Sequence, residues 1–340
     1  MKIGRIPESI LKRSVLKQIK SNNEEVIKGA AVGSDCAFIR IQDQVAAMAG
    51  GSAFLEEKDG IAHAMVRALN CLAADKSRPL AVHIFLMLPE SYFESDLKEC
   101  MSQAQAAAEQ FNVTIAGTQT QIVREITHPL VNVTAIGEPI REPLMNVTAI
   151  GEPMGMAAAA EKKVLPGFDI VMTKWIALSA TALLAKQKEK ELKEKYPAYF
   201  IKEAQKLSKY YSVWPEAATA VQSSVCMMQN VSEGGIFGAL WELGESAGVG
   251  LTTVLKKIPV KQETVEICNF FDINPYESDS DGAMLMVTQD GAQLCRKLEQ
   301  QGIVAAVIGQ ITQGNDRVVI NDEEKRYLEP KKTDELYRIQ

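Results

Sequence analysis

Apolar residues recur at helical spacing in the first third of the chain. After Pro7, a residue suited to the first turn of a helix, Leu11, Val15 and Ile19 fall on one face, with Lys12, Arg13, Lys17 and Lys20 elsewhere. Ile61, Met65, Leu69 and Leu72 predict a helix over 61–74, and Leu97, Cys100, Met101, Ala104 and Ala108 predict another over 97–110. Between them, Leu80 to Leu88 is apolar on both faces apart from His83, the pattern of a buried strand, and 111–117 reads as a short one. Further on, 169–175 is strand-like and 178–195, 199–210 and 215–225 are helical. A helix over 236–247 opens directly after Ser232-Glu-Gly-Gly235. Helices over 262–271 and 290–300 then alternate with strands near 283–288, 303–311 and 317–320. Such alternation predicts an α/β (α+β) fold with helices on at least one sheet face. The length of 340 residues suggests about two domains. The alanine run at 157–160 and the following Pro166-Gly167 place the junction, giving domains 1–160 and 161–340.

One segment is written twice. Pro129-Leu-Val-Asn-Val-Thr-Ala-Ile-Gly-Glu-Pro139 recurs as Pro143-Leu-Met-Asn-Val-Thr-Ala-Ile-Gly-Glu-Pro153, differing only at Val131 and Met145. Two copies are too few for a solenoid. They offer one sheet the same alternation, so they compete for one slot. One copy is expected to pair and the other to loop out, and the sequence does not say which.

Composition narrows the function classes. The chain is 46% hydrophobic and 24% charged with a net charge of −6, which argues against nucleic acid or an anionic membrane as partner. No run of apolar residues is long enough to span a bilayer, and the first twenty residues lack a secretory apolar core. Six cysteines stand singly, without any Cys-x-x-Cys, and there are three histidines, so a zinc site is not expected. Isolated thiols point to the cytoplasm.

No nucleophile elbow, Walker loop, zinc-protease helix or dinucleotide fingerprint is present. What remains are short glycine and acid segments. Gly33-Ser-Asp35 sets a carboxylate after a flexible glycine, Gly117-Thr-Gln-Thr120 follows a strand, and Ser232-Glu233-Gly234-Gly235 opens a helix. Free amides and the dipole at a helix N-terminus favour an anion such as phosphate, although a capped turn has the same sequence. Cys71 beside Leu69 and Leu72 reads as a buried small apolar group, His83 and the pair Met227-Met228 as core, and His63 has no evident partner.

In order and spacing these segments resemble the AIR synthase-related family, which includes the hydrogenase-maturation protein HypE, thiamine-monophosphate kinase and selenophosphate synthetase. The HypE-like branch is most similar. The resemblance runs through Gly167-Phe-Asp-Ile-Val-Met-Thr-Lys-Trp175, Val213-Trp-Pro-Glu-Ala-Ala-Thr-Ala220, Glu233-Gly-Gly-Ile-Phe-Gly-Ala-Leu-Trp-Glu242 and Ala306-Val-Ile-Gly-Gln-Ile-Thr-Gln-Gly314. The segment Gly33-Ser-Asp-Cys-Ala37 resembles the family's Gly-Asp-Asp-Ala-Ala loop. The resemblance implies a homodimer formed through the N-terminal half, with strands 80–88 and 111–117 at the two-fold axis. It also implies a C-terminal α/β domain and ATP with Mg2+ in the cleft between the domains. Carried over by residue, it assigns nucleotide to Gly33, Asp35, Asn70, Gly117, Thr120, Lys174, Ser232, Glu233, Gly234 and Gly235, and the metal to Asp35. Lys174 is equally readable as a surface lysine.

The chain departs from the family at its acids. Ala46 to Ala53 carries none, Asn70 is followed by Cys71 rather than Asp, Gln121 stands where the family has Glu, and Asn230 stands where it has Asp. Magnesium is a hard ion that wants oxygen ligands, so four lost carboxylates imply weak metal binding. HypE-type chains close with Arg-Ile-Cys, whose thiol carries a carbamoyl group; here the same place reads Arg338-Ile-Gln340. Two readings follow from the resemblance: an ATP-dependent enzyme with weak or lost catalysis, or a non-catalytic dimeric scaffold that keeps the cleft.

Overall fold

A computed structural model describes residues 3–4, 6–20, 23–34, 36–55, 59–140, 163–330 and 333–339. It contains two sheets. The first is built from β1 (Val26–Lys28), β2 (Cys36–Ile41), β3 (Gln44–Phe54), β4 (Ser77–Leu88), β5 (Thr114–Ile122) and β6 (Leu130–Pro139), in the order β1-β2-β3-β6-β4-β5. The second is built from β7 (Asp169–Thr173), β8 (Val225–Val231), β9 (Gly250–Val254), β10 (Ala283–Thr288), β11 (Ala305–Thr312), β12 (Arg317–Asn321) and β13 (Glu324–Tyr327). Its order is β13-β12-β9-β11-β7-β10-β8. Pairing is antiparallel except for β4 with β5 and β9 with β12.

Alternation decides which face of the first sheet is buried. Ala47 and Ala49 on β3, Val131, Val133 and Ala135 on β6, and Val82, Ile84, Leu86 and Leu88 on β4 form one core with helices Gly60–Ala74 and Glu94–Gln110. The intervening residues, among them Met48, Phe54, Ile136, Phe85 and Met87, fall on the other face and are half-buried or exposed. The segment 46–53, which lacks the family's acid, is the middle of β3. Its small residues let the helix lie directly on the strand: a Cβ on Gly51 would strike the backbone of Ala64.

The first copy of the duplicated segment is β6, paired with β3 and β4 along its length. The second copy lies outside the described residues. β4 has β5 on one edge and β6 on the other, so it has no free edge for a partner subunit; β5 is the edge strand. The helix expected over 178–195 ends at Gln187 and resumes as a single turn, Glu189–Leu192. Beyond Gln187 only Leu192 is fully buried, so too little apolar surface holds the charged stretch in one helix.

Helix Gly60–Ala74 positions the site. One flank packs on the first sheet. The other reaches the second half, with Ala73 against Val213, Ala217, Met228 and Met284, and Val66 against Leu178, Leu207 and Tyr211. Polar residues on that second flank therefore meet the loops of the C-terminal half away from bulk water.

Candidate functional site at the domain junction

His63 and Arg67 lie four residues apart, hence on one face of helix Gly60–Ala74. They meet the loop before β10. Nε2 of His63 is 2.9 Å from Oδ2 of Asp281, Nε of Arg67 donates to the same oxygen at 2.5 Å, and Nη2 of Arg67 donates to Oδ2 of Asp279. Both aspartates are buried. Ligand-capable atoms of His63, Asp279 and Asp281 lie within 4.8 Å of one another. The cation between the carboxylates is the protein's own guanidinium.

The charges shift one another as burial and Coulomb's law require. Burial pushes Asp281 up, but Arg67 and the bonds from His63 and Arg67 outweigh it and hold Asp281 at about 2. Asp279 goes the other way: burial raises it, Arg67 opposes, and Asp281 adds to the rise. Arg67 is disfavoured by burial, yet the two aspartates hold its proton still more tightly than usual. Oδ1 of Asp281 and Oε1 of Glu233 are buried without a hydrogen-bond donor.

The glycine turn beside this cluster is the one expected to cradle an anion. Gly234 and Gly235 both have left-handed backbones, φ 81° and 63°, and helix Gly235–Ala247 starts there. A Cβ on Gly235 would strike Tyr276 and Ser278, so the turn must be bare to pass under the loop that leads to Asp279. A carboxyl group does sit on this helix end, and it belongs to the chain: Oδ2 of Asp334 accepts from the Gly234 amide at 2.6 Å, and Oδ1 accepts from Leu336 at 2.9 Å.

The other expected residues are engaged or elsewhere. Asn70 is buried; its Nδ2 donates to the carbonyl of Tyr211 at 2.7 Å and its Oδ1 accepts from the Val213 amide at 3.0 Å. Lys174 is buried too, 2.6 Å from Oε1 of Glu216, and donates to the carbonyls of Tyr210 and Ser212. Burial lowers the lysine and raises the glutamate, each opposed by the partner's charge. Gly33 packs against Ser246 and Glu242, about 16 Å along the helix axis from Gly235 at a rise of 1.5 Å per residue. Gly117 and Thr120 are on edge strand β5, Gly117 opposite His83 and Thr120 opposite Leu86. Asp35 lies outside the described residues. The chain thus brings Asn70, Lys174 and Ser232–Gly235 to the junction near His63 and Arg67; Gly33 meets the C-terminal half at the far end of helix Gly235–Ala247, and Gly117 and Thr120 lie on β5.

Sequence reasoning missed His63, Arg67, Asp279, Asp281 and Asp334. One signal was available: a histidine and an arginine one turn apart on a helix that is apolar elsewhere except at Asn70.

Comparison with known proteins fits this architecture. The family model described as AIR synthase related protein, N-terminal domain, matches residues 33–138, and the one described as AIR synthase related protein, C-terminal domain, matches 166–321. A putative hydrogenase expression/formation protein of Methanocaldococcus jannaschii is 21% identical over 326 residues, covering 93% of this chain and 91% of that protein. Among solved structures, a chain of the HypE-HypF complex superposes with a TM-score of 0.73 at 16% identity, covering 95% of this chain and 99% of its own. HypE in complex with ATP superposes at 0.65 and 16% identity, covering 100% and 98%. These two likenesses are of fold.

Proposed function

The chain belongs to the AIR synthase-related family, and on that premise we propose that it is a hydrogenase-maturation-type protein that binds and assembles at the family's cleft rather than turning over ATP. The observation that carries this is the occupancy of the cleft groups by the chain itself. Asn70 is bonded on both its polar atoms, Lys174 is neutralised by Glu216, and the Gly234 amide holds Asp334. Magnesium fits poorly among the described residues: Asp279 and Asp281 already hold Arg67, and Asn70 has spent its carbonyl on Val213. Asn230 offers one buried, unpaired carbonyl oxygen, a weak ligand beside the carboxylate it replaces.

The division into domains 1–160 and 161–340 and the homodimer belong to the same proposal. The uncovered sheet face with Met48, Phe54, Phe85, Met87 and Ile136 supports the dimer. A second reading, an active ATP-dependent enzyme, is favoured by one observation: Glu233, Asp279 and Asp281 supply acids at the junction other than those the family lost.

Thermal-shift titration with ATP, with and without magnesium, separates the two. The scaffold reading expects a small, magnesium-insensitive stabilisation, about 0.4 kcal/mol for a ligand at its dissociation constant. Tight, magnesium-dependent binding with phosphate release would refute it. Light scattering is expected to give twice 37.3 kDa.

A further inference from the structure

The donors around Arg67 are placed for more than a salt bridge. The ligand-capable atoms of His63, Asp279 and Asp281 lie within 4.8 Å of one another, and Nε2 of His63 is already 2.9 Å from Oδ2 of Asp281. Donors held at about 2.0–2.2 Å from one ion stand at most about 4.4 Å apart, so a movement of about half an ångström closes the set. All three side chains are buried and held in place. The ring of His63 packs 5.1 Å from that of Tyr211, and the Asp281 amide donates to Oγ of Ser179 at 2.9 Å.

We propose that His63, Asp279 and Asp281 form a binding site for a divalent first-row transition metal, and that Arg67 is the cation such a metal displaces. Two observations point to a ligand beyond the arginine. The imidazole and the guanidinium meet at Oδ2 of Asp281, while Oδ1 of the same residue, 0% exposed, is buried without a donor. An ion held by both carboxylate oxygens would satisfy it. Glu233 adds a second such atom. Val231 pairs with Ala283, so two residues further along Glu233 comes level with Asp281, and its Oε1 is buried and has no donor either. Three carboxylates thus share one guanidinium, and a divalent ion would bring twice its charge to the same place.

Arg67 differs from the three donors in being able to leave. Its side chain is long and 25% exposed, so the guanidinium can swing to water while its stem stays on the helix. The donor set also selects the metal. Magnesium takes oxygen ligands, keeps several waters and gains nothing from an imidazole, whereas the ions from manganese to zinc accept imidazole together with carboxylate. This site is independent of nucleotide binding and of the scaffold reading.

Cobalt(II) added to the full chain, first stripped with a chelator, tests this by calorimetry and visible absorption. The wild type should bind one Co2+ per chain, with the ligand-field bands of a nitrogen–oxygen site, and excess Mg2+ should leave those bands in place. Arg67→Gln removes the competing cation and should tighten binding roughly tenfold or more. His63→Gln should weaken it by at least the roughly tenfold that losing even an outer-shell partner costs, in the wild type and in the Arg67→Gln background. The wild-type titration decides the matter even where a variant fails to fold. Absence of one-to-one Co2+ binding in the wild type, an Arg67→Gln protein that binds no more tightly, or an unchanged affinity in His63→Gln would each overturn the proposal.

Discussion

Replacing Arg67 with glutamine removes the guanidinium that reaches from the first half of the chain to Asp279 and Asp281 in the second. Both carboxylates are buried, at 3% and 0% exposure, and neither can turn to water without breaking the loop before β10. Removing one partner of a buried ion pair costs about 3–5 kcal/mol, because the remaining charge is left uncompensated. The edge of Arg67 is partly exposed, so the lower end applies, about 3 kcal/mol at pH 7.5. At about 2–4 °C per kcal/mol for units of 150–250 residues, the melting temperature should drop by about 6–12 °C. The pH dependence is the sharper test. Without Arg67, burial drives Asp281 upward from its depressed value of about 2, against His63 alone, and Asp279, already raised, goes higher. Groups raised in the folded state stabilise it as they take up protons, so the loss should shrink as pH falls from 7.5 to 5. Differential scanning calorimetry at both values reads the difference. A loss under 1 kcal/mol, or one equal at the two pH values, would refute the reasoning.

Other perturbations test other parts of the structure. Lys174→Met or Glu216→Gln alone should each cost about 3–5 kcal/mol in chemical denaturation, whereas pairing Lys174→Met with Glu216→Leu should recover most of the loss; equal, additive costs would contradict a buried pair. Gly51→Ala places a methyl against the backbone of helix Gly60–Ala74, so expression of folded protein should fall or stability drop by about 1–3 kcal/mol, measured by urea titration. Because β6 is made from the first copy of the repeated segment, deleting 143–156 should leave circular dichroism unchanged and the melting temperature equal or higher.

The periodic helices and the buried strand at 80–88 were legible because burial there follows a local spacing. β3 was not, because its inward residues are alanine and glycine, chosen to admit a helix and carrying little strand signal of their own. The junction was legible in part. Ser232–Gly235 was recognisable as a helix opening, since glycine at positive φ has a local cause. Asp279-Ser-Asp281 reads as a polar turn in one dimension; its burial and charge state come from Arg67, more than two hundred residues earlier. Likewise nothing local marks Asp334 as the carboxyl that the Gly234 amide receives. The family resemblance gives Asn70 and Lys174 to a nucleotide, but their hydrogen bonds are with the loop around Tyr210–Val213.

The start of the chain docks on its far half. Glu8 accepts from the indole of Trp241 at 2.9 Å, Lys12 pairs with Glu8 and with Glu245, and Gly4 lies against Thr333 and Tyr337. During synthesis at about 5–20 residues per second, Lys12 leaves the ribosome roughly 10–50 s before the residue it pairs with. The first sheet can close in that interval, but the arm ahead of it has nowhere to settle, and its apolar residues stay open to chaperones or to neighbouring nascent chains. Residues 4–12 are thus made early and placed late, and the polypeptide is fastened like a belt, with Thr333 and Tyr337 closing over Gly4.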